Sequence, residues 1–188
     1  GNRVHKLPPH AVGSNVPTRV RAAELAEIIE RTFKRGGNVI VPAFAVGRTQ
    51  EILYLLRVII EGGLCPSAKE IPVFVDSPLS VKATRVFAGN LFGYMDDETM
   101  ELVNKGINPI LFPSLVTVVD VADSIALNKR KESCVIISSS GMCEAGRIKH
   151  HLRHNLARRE CSVLITGFQA QGTPGRRLVD GAKRVSIF

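Results

Sequence analysis

Three histidines stand close together in the stretch SSSGMCEAGRIKHHLRHNL, which covers residues 138–156. On a helix, His150 and His154 would face the same side and could together bind a zinc ion, whereas His151 would point about 100° away from His150. A hydrolytic zinc needs three protein ligands, and no Cys, Asp or Glu stands nearby at ligand spacing. The HExxH motif of metalloproteases would need Glu where this sequence has His151. We therefore predict that the stretch holds no metal and that its helix has another role, such as binding a polyanion.

Positive charge is concentrated in the last third of the sequence. The formal net charge is +8, and residues 129–188 contain 12 Lys and Arg against 4 Asp and Glu, so that residues 1–128 contain 13 of each sign. A basic surface attracts phosphate polymers through counterion release and electrostatic steering. A solvated surface that binds no ligand would produce the same high isoelectric point, and charge alone does not separate the two interpretations.

Composition favours a cytoplasmic protein that does not enter a membrane. The 188 residues fit one domain, and 45% hydrophobic residues can form a sizeable core. No apolar run approaches the roughly 20 residues that cross a bilayer. The sequence contains no CxxC spacing, which predicts reduced core thiols rather than a disulfide framework. The cysteines are Cys65, Cys134, Cys143 and Cys161.

The sequence offers little for stacking bases and no nucleotide fingerprint. Only 8 Phe and 2 Tyr are present, without Trp, and we expect Phe44 and Phe168 to lie in the core although either could reach a base. Neither GxGxxG nor GxxxxGK[ST] occurs, so the fingerprints of dinucleotide binding and of P-loop nucleoside triphosphatases are missing.

Short buried strands alternate with amphipathic helices along the sequence. This alternation predicts an α/β fold, a Rossmann-like three-layer α/β/α sandwich with a mainly parallel sheet of about five to six strands. The expected helices cover residues 19–35, 47–63, 79–90, 96–106, 119–131, 143–156 and 172–183. The expected strands cover residues 38–43, 71–76, 108–113, 133–141, 161–169 and 184–188.

In such sheets, ligands bind at the carboxyl ends of the strands, where loops enter the next helix. This rule selects four loops, at residues 42–49, 76–80, 138–147 and 167–176. Three of them contain groups suited to an anion at a helix start, and two of these lie in the basic third. The groups are Gly47, Arg48 and Thr49, then Ser138, Ser139, Ser140 and Gly141, then Gln169, Gln171, Gly172, Thr173 and Arg176. Ordinary helix capping explains any one loop, whereas three on one edge favour a polyphosphate or a nucleic-acid backbone.

At these motifs the sequence resembles the β-CASP domain of RNA-processing ribonucleases of the metallo-β-lactamase superfamily, especially the bacterial and archaeal members. The matching stretches are VPAFAVGRTQEIL, VDSPLS, SSSGMCEAGRIKHHLRHNL and GFQAQGTPGRRLVDGAK, which occur in the family's order. The resemblance implies that residues 1–188 form a single β-CASP domain, inserted in a larger metallo-hydrolase. An inserted domain should have its two ends close together in space.

The resemblance also implies that this chain and the lactamase-like domain of the parent enzyme have different roles. The parent enzyme would bind two zinc ions through its lactamase-like domain and hydrolyse phosphodiesters in RNA 3′-end processing or degradation. This chain would contain no catalytic residue, and by itself we expect it to be inactive. Its implied role is to clamp single-stranded RNA over the metal site, and the parent could form a homodimer.

The resemblance adds Arg147 to the RNA-facing residues of the three loops. Asp76 and Ser77 match the family's DSPL turn. We interpret Asp76 mainly as a cap for the helix after Pro78, with a substrate-side role for Asp76 and Ser77 as a further interpretation. The implied place of His150 is an RNA-side or interdomain helix.

Two other classes stay open. The first is a free-standing α/β enzyme that acts on a mononucleotide or a sugar phosphate. It would need a titratable base near Arg48, and Asp76 is the only candidate. The second is a protein-interaction module without nucleic-acid affinity.

Overall fold

The sheet is parallel throughout and has six strands. The computed structural model describes residues 3–7, 16–67, 70–89 and 97–188, without the side chains of residues 97–99. The strands are β1 (Val4–Lys6), β2 (Val39–Pro42), β3 (Val73–Asp76), β4 (Leu115–Val118), β5 (Val135–Ser138) and β6 (Ser162–Ile165). Their order across the sheet is β1-β6-β2-β5-β3-β4, and every neighbouring pair is parallel. The predicted α/β class and parallel sheet are confirmed.

Helices cover both faces of the sheet. The described residues form α1 (Thr18–Lys34), α2 (Arg48–Glu61), α3 (Pro78–Gly89), α4 (Asp97–Asn104), α5 (Val121–Leu127), α6 (Ile148–Asn155) and α7 (Pro174–Val179). None of these helices is long and apolar enough to cross a bilayer.

Alternation along the central strands builds two cores. In β2, Val39 and Val41 join the core formed by α1 and α2, whereas Ile40 joins the core formed by α6 and α7. This alternation follows from the period of two in a strand, whose successive side chains point to opposite faces. The layers are therefore helix, sheet, helix, as predicted.

Two predicted strands are wrong. Residues 108–113 form a turn, because the Asn108 side-chain oxygen accepts hydrogen bonds from the backbone N–H groups of Ile110 and Leu111. Pro109 and Pro113 also lack the N–H that a ladder needs. Strand β4 follows at Leu115–Val118 instead. Residues 184–188 keep an alternating pattern, with Val185 and Ile187 packed against the α6–α7 core, but they join no strand of the sheet.

Strand β1 and the start of α6 also differ from the expectation. Strand β1 was not predicted, and its three residues pair with β6 alone at the sheet edge. Helix α6 begins at Ile148 rather than at residue 143. Residues 139–147 form a loop instead, in which the Ser140 hydroxyl accepts hydrogen bonds from the N–H groups of Glu144 and Ala145. Gly146 adopts a φ of +80°, which ends any regular helix there.

The two ends of the described chain lie along the same helix. The Arg3 guanidinium donates to the carbonyl oxygens of Leu156 and Arg158, just after the end of α6. The Phe188 ring lies 5.1 Å from the ring of His150 in the first turn of α6. The expected closeness of residues 1 and 188 stays a prediction, because Gly1 lies outside the described residues.

Candidate nucleic-acid interface

The four loops selected from the sequence lie side by side. Strands β6, β2, β5 and β3 are consecutive neighbours in the sheet and run parallel. Their carboxyl ends therefore point to one edge, which spans about 14 Å at the usual strand spacing. We name this surface, made by residues 43–49, 77–80, 139–147 and 167–176, the carboxyl edge.

The loop after β2 is ordered by its own side chains. The Thr49 hydroxyl is buried and donates to the Phe44 carbonyl oxygen at 2.8 Å, so Thr49 holds the loop and does not face solvent. The Gly47 N–H donates to the Gln50 side-chain oxygen at 2.7 Å. Gly47 itself is exposed with a φ of +81°, a left-handed conformation that favours glycine. Arg48 forms an ion pair with Glu51 and is only partly exposed.

The serines after β5 bind neighbouring protein groups. The Ser138 hydroxyl is buried and donates to the Asp76 carbonyl oxygen at 2.7 Å. The Ser139 and Ser77 hydroxyls hydrogen-bond at 2.8 Å and connect this loop to the loop after β3. Gly141 is also buried. Ser138 and Gly141 are therefore not placed to contact RNA directly, since neither reaches the surface.

The loop after β6 combines buried and exposed candidates. The Gln169 amide donates to the carbonyl oxygens of Gly141, Gly167 and Phe168, which ties this loop to the one after β5. The Thr173 hydroxyl accepts from the Arg176 N–H at 3.1 Å and caps α7. Gln169 and Thr173 are therefore buried positioning groups, because their polar atoms are used inside the protein.

The remaining candidates of that loop face solvent. Gln171 and Gly172 are exposed, and Gly172 has a φ of +84°. The Arg176 side chain is 37% exposed and pairs with Asp180, one turn further along the chain, at 3.0 Å. An exposed pair of this kind contributes little stability and gives way readily to a competing anion.

Two phenylalanines expected in the core lie on the carboxyl edge instead. Phe44 is 44% exposed and Phe168 is 74% exposed. A Cβ atom at Gly141 would come within 3.0 Å of the Phe44 ring, and one at Gly167 within 3.6 Å, so two glycines make room for this ring. Each phenylalanine stands just beyond the end of its strand, where the in–out alternation of the sheet no longer fixes the direction of a side chain. Phe44 already follows the predicted end of its strand, whereas Phe168 lies in a loop because β6 ends at Ile165 rather than at residue 169.

Asp76 lies in a buried polar cluster beneath the carboxyl edge. Its Oδ2 hydrogen-bonds with His151 Nε2 at 2.6 Å and accepts from the Ser124 hydroxyl at 2.5 Å. Its Oδ1 accepts from Arg147 Nη1 at 2.7 Å. His151 Nδ1 lies 2.9 Å from the Asn128 side-chain oxygen. We name these five residues the Asp76 cluster.

The cluster keeps Asp76 ionised. Burial by itself raises the pKa of the carboxyl group, but the hydrogen bonds from His151, Ser124 and Arg147 outweigh that effect and leave the pKa below its usual value. Asp76 and His151 have no exposed side-chain surface.

The interpretation of Asp76 as a helix cap is wrong. Ser77 caps α3, since its hydroxyl accepts from the Ser80 N–H at 3.2 Å. A substrate-side position for Asp76 is equally wrong, because its side chain is fully buried. Arg147 points inward to Asp76 and to the Val119 carbonyl oxygen, at 2.6 Å, instead of facing RNA. The sequence analysis did not predict the buried position of His151, although it placed this side chain on a different face of the helix from His150 and His154.

The described residues do not fit a zinc pair. Among them, no group of three or more His, Cys, Asp or Glu side chains could hold a metal ion. His150 and His154 are exposed on the outer side of α6, and both ring nitrogens of His151 are already hydrogen-bonded within the Asp76 cluster.

Comparisons with known proteins agree with this geometry. The Beta-Casp domain family matches residues 49–178. Ribonuclease TTHA0252 of Thermus thermophilus is 35% identical over 92% of this chain, and an RNase J-like protein of Methanocaldococcus jannaschii is 33% identical over 88%. Transcription termination factor FttA of Methanosarcina mazei is 32% identical over 87%. The chain spans 38%, 36% and 25% of the length of these relatives.

The fold defines the class of three-layer α/β domains with a parallel sheet. Within that class, the match over residues 49–178 shows that the chain belongs to the Beta-Casp family.

Proposed function

We propose that this chain is the RNA-clamping domain of a zinc-dependent ribonuclease, and that it binds single-stranded RNA along the carboxyl edge. The observation that carries the proposal is the placement of the three anion-suited loops side by side, at the carboxyl ends of the neighbouring strands β6, β2 and β5. The net charge of +8 supports a polyanionic ligand. The names of two relatives, a ribonuclease and an RNase J-like protein, support RNA over other polyanions.

In this proposal the exposed groups contact RNA and the buried groups hold them in place. Arg176, Gln171 and the backbone at Gly47 and Gly172 face solvent and would bind phosphates. Base stacking on aromatic rings stabilises single-strand binding by about 1–3 kcal/mol per base and tolerates any sequence. The exposed rings of Phe44 and Phe168 would supply this stacking.

Hydrolysis would belong to the remainder of a longer parent protein. This chain spans only 38% and 36% of the length of the first two relatives, so each of them is long enough to contain a further domain. We propose that a lactamase-like domain of the same polypeptide holds two zinc ions and cleaves the RNA that this domain clamps, during RNA 3′-end processing or degradation. A homodimer of the parent and a cytoplasmic location complete the proposal, and the buried thiols of Cys134, Cys143 and Cys161 support the latter.

The first prediction is that the chain binds single-stranded RNA weakly, with a Kd of about 10⁻⁴–10⁻⁶ M that rises with salt. Arg176→Ala should weaken binding and lower the slope of log K against log salt by about 0.7, the value for one single-strand phosphate contact. Arg48→Ala should weaken binding less, because the Arg48 side chain is only 12% exposed whereas that of Arg176 is 37% exposed. Fluorescence anisotropy with a short labelled RNA over a salt series measures both effects.

Lys34→Ala is the matched control for Arg176→Ala. Lys34 also pairs with a carboxylate one turn away, but it lies at the end of α1 that leads into β2, on the opposite edge of the sheet. It should leave RNA binding unchanged. If Arg48→Ala and Arg176→Ala both bind like the unmodified chain at low salt, the carboxyl edge is not the RNA site. Equal affinity for a mononucleotide and for a short RNA would favour the free-standing phosphate-binding enzyme.

The second prediction is that the purified chain contains no stoichiometric zinc and does not cleave RNA. A two-metal hydrolytic site needs several protein ligands and an activated water, and the described residues lack such a group. Elemental analysis, together with an RNA cleavage assay with and without chelator, tests this. Stoichiometric zinc, with cleavage that both chelator and His150→Ala abolish, would instead establish a metal site on α6.

A further inference from the structure

The Asp76 cluster connects the loop after β5 to β3, α5 and α6. Asp76 ends β3, Ser124 and Asn128 lie in and just after α5, and His151 lies in α6. Arg147 completes the cluster from the loop itself and also binds the Val119 carbonyl oxygen beyond β4. Arg147 therefore links the end of the loop directly to β3 and to the residue after β4. Through Asp76, it also links the loop to α5 and α6.

This loop is also the centre of the carboxyl edge. On one side, the Phe44 ring packs over Gly141, which connects it to the loop after β2. On the other side, the Gln169 amide donates to the Gly141 carbonyl oxygen at 2.9 Å, and the Gly175 N–H donates to the Met142 carbonyl oxygen at 3.1 Å. A displacement of this loop would therefore move the groups on both neighbouring loops that face solvent.

We propose that Asp76 and His151 are positioning residues for RNA binding, which act through Arg147 on the loop of residues 139–147 and never touch RNA. The inference rests on the proposed function, because it assumes that the carboxyl edge binds RNA. The hydrogen bond between His151 Nε2 and Asp76 Oδ2 is its centre, since it joins α6 to the end of β3. The bond between His151 Nδ1 and the Asn128 side-chain oxygen is secondary, because it joins α6 to the end of α5 and not to Asp76.

Two substitutions at one position separate these bonds. The amide nitrogen of Gln reaches the place of the His Nε2 atom, so His151→Gln keeps a donor to Asp76. The shorter Asn reaches only the place of Nδ1, so His151→Asn keeps the Asn128 partner and loses the bond to Asp76. A purely structural role of the ring predicts equal damage from both variants. The positioning role predicts rescue by Gln alone.

The experiment measures RNA affinity by anisotropy and amide hydrogen exchange of residues 139–147 by mass spectrometry. His151→Asn should weaken RNA binding about tenfold, as expected for one lost hydrogen bond to a charged group, and should speed exchange in the loop. His151→Gln should stay within about threefold of the unmodified chain in both measurements. Ile29→Val, a methyl deletion in the opposite core, controls for lowered stability alone and should leave both unchanged.

The outcomes are decisive. Equal affinities, or equal losses, for His151→Asn and His151→Gln would overturn the inference. Should His151→Asn prevent folding, Ser124→Ala removes a single hydrogen bond to Asp76 and should weaken RNA binding about threefold, and unchanged binding by this variant would also overturn it. If the unmodified chain binds no RNA, the proposed function fails, but faster loop exchange in His151→Asn than in His151→Gln would still support the positioning role.

Discussion

Replacing Asp76 with Asn should lower the free energy of unfolding by about 3–5 kcal/mol, the usual effect of removing one partner of a buried ion pair. The carboxylate has no exposed surface and accepts hydrogen bonds from Arg147, His151 and Ser124. An amide of the same shape removes the negative charge and leaves the Arg147 guanidinium without its partner. Because domains are stable by only about 5–15 kcal/mol, the variant should unfold at a much lower urea concentration.

The control and the pH dependence make this result specific. Asp123→Asn changes an exposed acid in the first turn of α5 and should cost less than 1 kcal/mol. The pKa of Asp76 is lowered in the folded state, so its stabilisation is fully present above the unfolded pKa of about 3.9 and is lost as the pH falls through the folded value. The difference between the unmodified chain and Asp76→Asn should therefore persist at pH 7 and shrink below about pH 4. A constant difference down to pH 2 would contradict the assignment.

Gly175→Ala should destabilise the protein by about 1–3 kcal/mol, as overpacking of a buried site does, and should weaken RNA binding as well. A Cβ atom at Gly175 would lie 1.7 Å from Gln169 Oε1 and 3.1 Å from the Met142 carbonyl oxygen. The Gln169 side chain cannot yield easily, because its amide is buried and donates to three carbonyl oxygens. The added methyl group should therefore separate the loops after β5 and β6.

Gly89→Ala is the matched control, because a Cβ atom there meets nothing within 4 Å and the residue ends α3 far from these loops. It should be neutral or slightly stabilising, since Gly carries a higher conformational entropy cost than Ala. Thermal unfolding and anisotropy measure both variants. A Gly175→Ala protein with unchanged melting temperature and RNA affinity would show that the two loops are not coupled through Gln169.

The sequence by itself determined the fold class and the edge on which the candidate site lies. Buried strands such as residues 39–42 and 135–138 read as continuous apolar runs, and a parallel sheet requires such runs because both of its faces are covered. The rule that ligands bind at carboxyl ends then selected four loops without knowledge of the strand order. The central strands and the four loops could be predicted from the sequence because strand periodicity and helix starts depend on residues that are close in sequence.

Only the tertiary structure decided which candidates face solvent. Thr49, Ser138, Gln169 and Thr173 have the polar groups that an anion site needs, but the same groups also satisfy the buried carbonyl and N–H groups of packed loops. Residue type does not distinguish these uses. Ser138 and Gln169 find their partner carbonyl groups on segments that are distant in sequence, whereas Thr49 and Thr173 bond within their own loops. The exposure of Phe44 has the same origin, since its ring direction depends on the glycines of two other loops.

The Asp76 cluster shows why spacing along the chain could not reveal the central interaction. Asp76 and His151 are separated by 75 positions, and their bond exists because β3 and β5 are adjacent in the sheet and α6 packs beneath them. The sequence presented Asp76 as a cap and Arg147 as an RNA contact, since each suits that role locally. Burial reverses both roles: a carboxylate without access to water must be paired, and Arg147 and His151 are the partners that the fold brings within reach.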